Sequence, residues 1–202
     1  MIELFTQWLT SNYIELIGAI LGIIYIFFSI RQNIFTWPTG LLTSALYVYV
    51  FFASKFYADM GLQFYYVVIS IYGWYFWLRG VSQKGGKQII VTRVSKQLLL
   101  KLVASLVIIY VIILYILLNY TDSTVPYMDS LTTAFSIIAT WMLARKIIEH
   151  WLIWIFVDVF SAGLYIYKEL WPTTILFVAY TIMAVVGYYE WKKDLNNGNY
   201  SA

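Results

Sequence analysis

One pattern is written twice in this chain, and the two copies lie 114 residues apart with no gap required. Arg31 pairs with Arg145, Trp37 with Trp151, Tyr66 with Tyr180, Gly73 with Gly187 and Trp77 with Trp191 at that spacing. Ile23 and Ile24 pair with Ile137 and Ile138, and Ile34 with Ile148. A direct repeat of this length inside apolar sequence predicts two similar helix bundles around a shared path.

Composition decides the solvent. Hydrophobic residues make up 62% and charged residues 11%, with a mean hydropathy of +0.75. A water-soluble domain has about half apolar and about a quarter charged residues, so this chain belongs in lipid. Aromatic residues reach 20%. That is more than a belt at the headgroup level needs, so some are expected to line a cavity. The chain has no cysteine, which excludes disulfides, thiolate catalysis and cysteine-ligated metals, and one histidine, His150, which cannot form a multi-histidine site. No cofactor is implied. The opening stretch MIELFTQWLTSNYIE is acidic and lacks the basic start of a cleavable signal peptide, so the first span is expected to stay in the membrane.

Continuous apolar runs, rather than alternation, select helices over a barrel. Seven spans are expected, near residues 14–30, 35–54, 58–78, 97–119, 128–144, 148–167 and 171–191, each near the ~20 residues that cross a bilayer. The basic, glycine-bearing stretch 80–96 separates the two copies. The organisation reads as residues 1–96 (first three-helix repeat and linker), 97–119 (a linking helix) and 120–202 (second repeat and tail). Two odd-numbered units joined directly would insert with opposite orientation. A single linking helix turns the second back, giving a 3 + 1 + 3 plan of parallel repeats. The tail LNNGNYSA is expected to be disordered.

Charge orients the bundle. One face carries Arg31, Arg79, Lys84, Lys87, Arg93, Lys96, Lys101, Arg145, Lys146, Lys192 and Lys193; of the 13 basic residues only Lys55 and Lys168 fall on the other. The positive-inside rule then places the N-terminus outside and the C-terminus in the cytoplasm.

Trp151, Trp154, Asp158, Ser161 and Tyr165 form one stripe on the sixth span. A carboxylate in mid-membrane costs ~3 kcal/mol or more unless it meets a polar cavity or partner. Under two indoles it would seat a flat organic cation, through charge and cation–π attraction. The alternative is a packing carboxylate among space-filling tryptophans. A second stripe on the third span holds Asp59, Gln63, Tyr66, Ser70, Gly73 and Trp77. Gln63 can both donate to and accept from a carboxamide or sugar hydroxyl, while Asp59 reads equally as a solvated helix start. The repeat mates of Asp158 and Trp154 are Ser44 and Gly40, so the halves share a frame but differ at their polar centre. Trp37 and Ser44 on the second span complete the candidate binding set. Pro38 and Pro172 read as early-helix prolines. Glu15 and Asp129, also repeat mates, are either a cation-attracting mouth or ordinary first-turn acids.

The 3 + 1 + 3 plan, Tyr57-Ala58-Asp59-x-x-Leu62-Gln63, Ile71-Tyr72-Gly73-Trp74-Tyr75-x-Trp77 and Glu149-x-Trp151-Leu152-x-Trp154-x-x-x-Asp158-x-x-Ser161 resemble the bacterial PnuC vitamin transporters over residues 14–193. The resemblance implies a SWEET-like, all-α integral membrane fold in the bacterial inner membrane. It implies uptake of nicotinamide riboside by facilitated diffusion without ATP, and trapping of the cargo by a functionally linked cytoplasmic kinase. It also implies that the chain can assemble as a homotrimer, and binding roles for Trp151, Trp154, Asp158 and Gln63. Nicotinamide riboside carriers of that family often have Asn where this chain has Asp158. The acid points to the thiamine-transporting branch as the alternative cargo class.

Two other classes compete. An intramembrane enzyme needs a positioned nucleophile and base, a metal or paired acids, and no HExxH, GxSxG or GxxxxGK[ST] motif is present. A cargo-free assembly subunit accounts for the apolar content but not for an aspartate beneath two tryptophans. The expected partners are a small vitamin and the lipid bilayer; nucleic acid is not among them.

Overall fold

The computed structural model describes residues 17–53, 57–82, 90–167 and 171–198. Among them run seven helices: α1 (Ile17–Ile30), α2 (Thr36–Ala53), α3 (Tyr57–Ser82), α4 (Lys96–Tyr120), α5 (Pro126–Ala144), α6 (His150–Tyr167) and α7 (Trp171–Gly198). Each falls on one expected span. The segments Lys96–Tyr120, His150–Tyr167 and Thr173–Asn197 are each long and apolar enough to cross a bilayer by length and composition. Large apolar side chains such as Leu100, Val107, Val111 and Ile175 lie exposed on the outside of the bundle, as lipid as solvent demands.

Local chemistry sets several helix starts. The Ser95 hydroxyl accepts from the Leu98 N–H at 3.2 Å and caps α4. Pro126 opens α5, where its missing N–H costs nothing. Pro38 and Pro172 sit in the first turns of α2 and α7, the helix-start role expected of them. Asp129 accepts from Ser123 Oγ at 2.7 Å in the first turn of α5, the ordinary-acid alternative of the two considered. Its mate Glu15, together with Lys55, Lys84, Lys87 and Lys168, lies outside the described residues.

The tail departs from expectation. Rather than losing order at Leu195, α7 continues through Gly198. Leu195 packs against the main core and Asp194 accepts from Gln32 Nε2 at 2.6 Å, so tertiary contacts hold a stretch whose composition alone is weakly helical.

The repeat is visible as matched packing. Trp37 lies directly on Gly73, and Trp151 directly on Gly187, where a β-carbon would collide with either indole. Each indole then meets a second tryptophan edge-on: Trp37 with Trp77 at 5.3 Å and Trp151 with Trp191 at 5.8 Å between ring centroids. These edge-to-face pairs favour the packed arrangement beyond area alone. The second tryptophan of each half reaches into the other half. Trp77 Nε1 donates to the Ala144 carbonyl and Trp191 Nε1 to the Ser29 carbonyl, each at 3.1 Å.

The turns between first and second helices also match. Gln32 and Lys146, repeat mates, both take left-handed backbone (φ 50° and 53°) and so stop α1 and α5 at the same place. They meet each other: Lys146 Nζ donates to Gln32 Oε1 at 2.9 Å. A pseudo-twofold axis relating the repeats must pass close to this contact. Around it, Lys146 Nζ lies 4.6 Å from the Trp77 ring centroid, and the Arg145 guanidinium lies 4.7 Å from the Phe76 ring centroid and donates to the Tyr72 hydroxyl. The basic end of the bundle is thus laced shut across the two repeats. In the second repeat the turn is pinned further. Thr92 of the linker forms a parallel bridge with Ile147, and the Val94 N–H donates to Glu149 Oε2 at 3.0 Å.

Candidate functional site

Asp158 stands on α6 with only 5% of its surface exposed. Among the described residues it forms no hydrogen bond or ion pair, and nothing cationic lies close enough to neutralise it. Its repeat mate Ser44, on α2, and its helix neighbour Ser161, one turn on, are also buried. Two tyrosines are close enough to Asp158 to feel its charge: Tyr66 from α3 and Tyr180 from α7. Tyr66 shares a hydrogen bond with Ser136 of α5 and is close to Tyr25 of α1 and to Tyr65. Tyr65 in turn donates to the Ile137 carbonyl at 2.9 Å. Helices α1, α3, α5, α6 and α7 thus each send a phenol, hydroxyl or carboxylate toward one centre.

Of the eight residues expected to bind cargo, Asp158, Ser161 and Tyr66 fall at or near this buried polar centre, and Ser44 is buried on α2. Gln63 lies one turn from Tyr66 on α3, half-buried, and makes no hydrogen bond among the described residues. Trp154 is half-buried with part of its ring against the main core. Trp37 and Trp151 are placed differently. They are 0% and 3% exposed, clamped on Gly73 and Gly187, and have no open ring face to offer. Their indole N–H groups are buried without an acceptor among the described residues. That penalty of about 1–3 kcal/mol each is borne in both halves for the sake of the wedge. Stacking beneath two indoles therefore reduces to one exposed candidate, Trp154.

Tyr180, Tyr25 and Ser136 were not among the expected residues. The signal for Tyr180 was present, because it is the repeat mate of Tyr66. Tyr25 has no such mark. Its ring folds over Gly40, where a β-carbon would lie 3.0 Å from Cε2, and its own repeat mate is Ala139. The large and small partners exchange between halves: Tyr25 with Gly40 in one, Ala139 with Trp154 in the other.

A seven-helix membrane bundle of two parallel repeats, closing on a buried polar centre, is the architecture of a membrane transporter. Residues 12–193 match the family model described as nicotinamide mononucleotide transporter, and the chain belongs to that family. It is 25% identical to the nicotinamide riboside transporter PnuC of Escherichia coli over 203 residues, covering 89% of this chain and 85% of that one. It is 27% identical to the protein of that name from Neisseria mucosa, covering 93% and 73%. It is 24% identical to the riboflavin/roseoflavin transporter RibM of Streptomyces davaonensis, covering 88% and 83%. The fold matches the crystal structure of the vitamin B3 transporter PnuC with a TM-score of 0.76 at 22% identity, covering 96% of this chain and 87% of that one.

Proposed function

We propose that this protein carries nicotinamide riboside across the bacterial inner membrane by facilitated diffusion, with its N-terminus outside and its C-terminus in the cytoplasm. The observation that carries the reading is Asp158: an acid buried between the repeats, with no cation to pair it among the described residues. Such a group is unfavourable unless a ligand or water meets it, and a flat aromatic cation supplies charge and a ring face together. The two repeats provide the machinery for alternating access. Contacts such as Lys146 to Gln32 close the basic end, and rocking one triplet against the other would exchange which end is open. No step requires ATP or an ion gradient. A cytoplasmic kinase that phosphorylates the cargo would keep net flux inward, and the carrier would work as a homotrimer.

Thiamine is the second reading, and Asp158 is the observation that favours it. Thiamine is also an aromatic cation, and relatives of this chain differ in cargo, as RibM illustrates. Purified protein in liposomes, offered labelled nicotinamide riboside, thiamine and riboflavin in parallel, is expected to show saturable flux of nicotinamide riboside. Leakage no faster than through empty vesicles for all three would remove the transport reading. Asp158→Ala is expected to abolish binding of the cationic cargo in protein that still purifies folded. Asp158→Asn is expected to shift preference toward nicotinamide riboside if the acid reads charge. Unchanged affinity and preference in both variants would show that Asp158 does not touch cargo.

A further inference from the structure

Tyr66 and Tyr180 match between the two halves, and the mismatch between the residues they reach is informative. Each tyrosine reaches from the last helix of its own repeat to the first helix of the other: Tyr66 from α3 to α5, Tyr180 from α7 to α1. The residues they reach, Ser136 and Gly22, are themselves repeat mates. Ser136 gives the Tyr66 hydroxyl a hydrogen-bond partner. Gly22 has no side chain to give. It only leaves room, and the Tyr180 hydroxyl rests directly against its α-carbon. Among the described residues the Tyr180 hydroxyl forms no hydrogen bond, although it lies near Asp158 and near Tyr47. The repeat is therefore broken at several positions around one centre, and two of them bear on pairing. Ser44 is replaced by Asp158, and Ser136 by Gly22. Both breaks leave a polar group without a hydrogen-bond partner among the described residues.

An unpaired phenol half-buried in lipid-embedded protein is costly for the same reason as an unpaired amide, and the cost disappears when a ligand group meets it. We propose that Tyr180, held in reach by Gly22, is a specificity-determining residue that hydrogen-bonds a hydroxyl or amino group of the cargo while Asp158 takes the cationic ring. This rests on the transport reading above. It divides the labour of the site: charge is read from α6, and the polar substituent from α7 against α1. Tyr66, already engaged by Ser136, is left as a wall.

The test is a double-mutant cycle in vitamin binding to purified protein, using nicotinamide riboside and thiamine as probes. Tyr180→Phe keeps the ring and its 5.7 Å contact with Phe177, so the fold is expected to melt as in the wild type. Binding of the accepted vitamin should weaken about three- to tenfold, the range of one hydrogen bond. Gly22→Ser sets a β-carbon where the Tyr180 hydroxyl now rests, so the phenol must swing from its seat, and binding should weaken by a similar factor with the phenol still present. The two losses should not add, because both remove one contact. Wild-type affinity in Tyr180→Phe, or losses that multiply in the double variant, would overturn the proposal while leaving transport intact. A wild-type protein that binds neither vitamin would overturn the transport reading first, and this proposal with it.

Discussion

Lys146 is the residue whose behaviour follows most directly from the closed basic end. It lies in the turn between α5 and α6, where burial pulls its amine from 10.5 down to about 8, only partly opposed by the nearby Asp194 carboxylate. If the open form returns Lys146 to water, its pKa there is ordinary. Closing the end with a protonated lysine then costs about 3 kcal/mol at neutral pH, at about 1.4 kcal/mol per unit. The Trp77 ring, 4.6 Å from Nζ, offsets about 1 kcal/mol by cation–π attraction. The net penalty is about 2 kcal/mol, so charge on Lys146 holds the closed form back. The sign follows from proton counting. Below about pH 8 both forms are protonated and the penalty is full. Between about 8 and 10.5 the open form holds the extra proton, so raising pH favours closure. Above that range the penalty is gone. The closed-to-open ratio should therefore rise across this window, by roughly thirtyfold for the net penalty of about 2 kcal/mol and at most about three-hundredfold for the full shift of the amine. The chain has no cysteine, so spin labels placed at Phe35→Cys and Asn196→Cys, one on each repeat and both exposed, report the separation directly. Lys146→Met should flatten the pH response and lie more closed at pH 7, by about 1 kcal/mol after loss of its hydrogen bond to Gln32. A pH response that survives intact in Lys146→Met would refute the reasoning.

Other consequences are simpler to measure. Gly73→Ala and Gly187→Ala each place a methyl group inside a tryptophan ring and should lower thermal stability in detergent by about 1–3 kcal/mol. Gly61→Ala and Gly163→Ala meet nothing within 4 Å and should raise it by about 0.5–1 kcal/mol through helix propensity. Equal effects at all four sites would show that the wedges carry no strain. Trp151→Ala should cost about 3–5 kcal/mol of stability, whereas Trp154→Ala should leave the fold standing and weaken cargo binding by ~1–2 kcal/mol. Melting curves beside binding isotherms separate the two, and a reversed order would place the binding indole at Trp151.

Much of this protein was determined by sequence alone, because in lipid each helix must satisfy its own backbone and apolar length is therefore read locally. The seven spans, the linking helix and the paired tryptophans and glycines follow from that constraint and from the repeat. The buried position of Asp158 followed as well, since a lone acid in an apolar run has few places to be. Rotation of each helix about its axis was decided only by tertiary packing. Trp151 and Trp154 share a stripe in sequence, yet one is sealed on Gly187 and the other is half-open, because a helical stripe is wide enough to touch both a neighbouring helix and the interior. The meeting of Gln32 with Lys146, the helical run past Leu195 and the seating of the Tyr180 hydroxyl on Gly22 are contacts between residues far apart in the chain. They come into being only when two copies of one pattern are set around an axis, and where the copies differ, as at Ser136 and Gly22, the surroundings of the matched side chains differ with them.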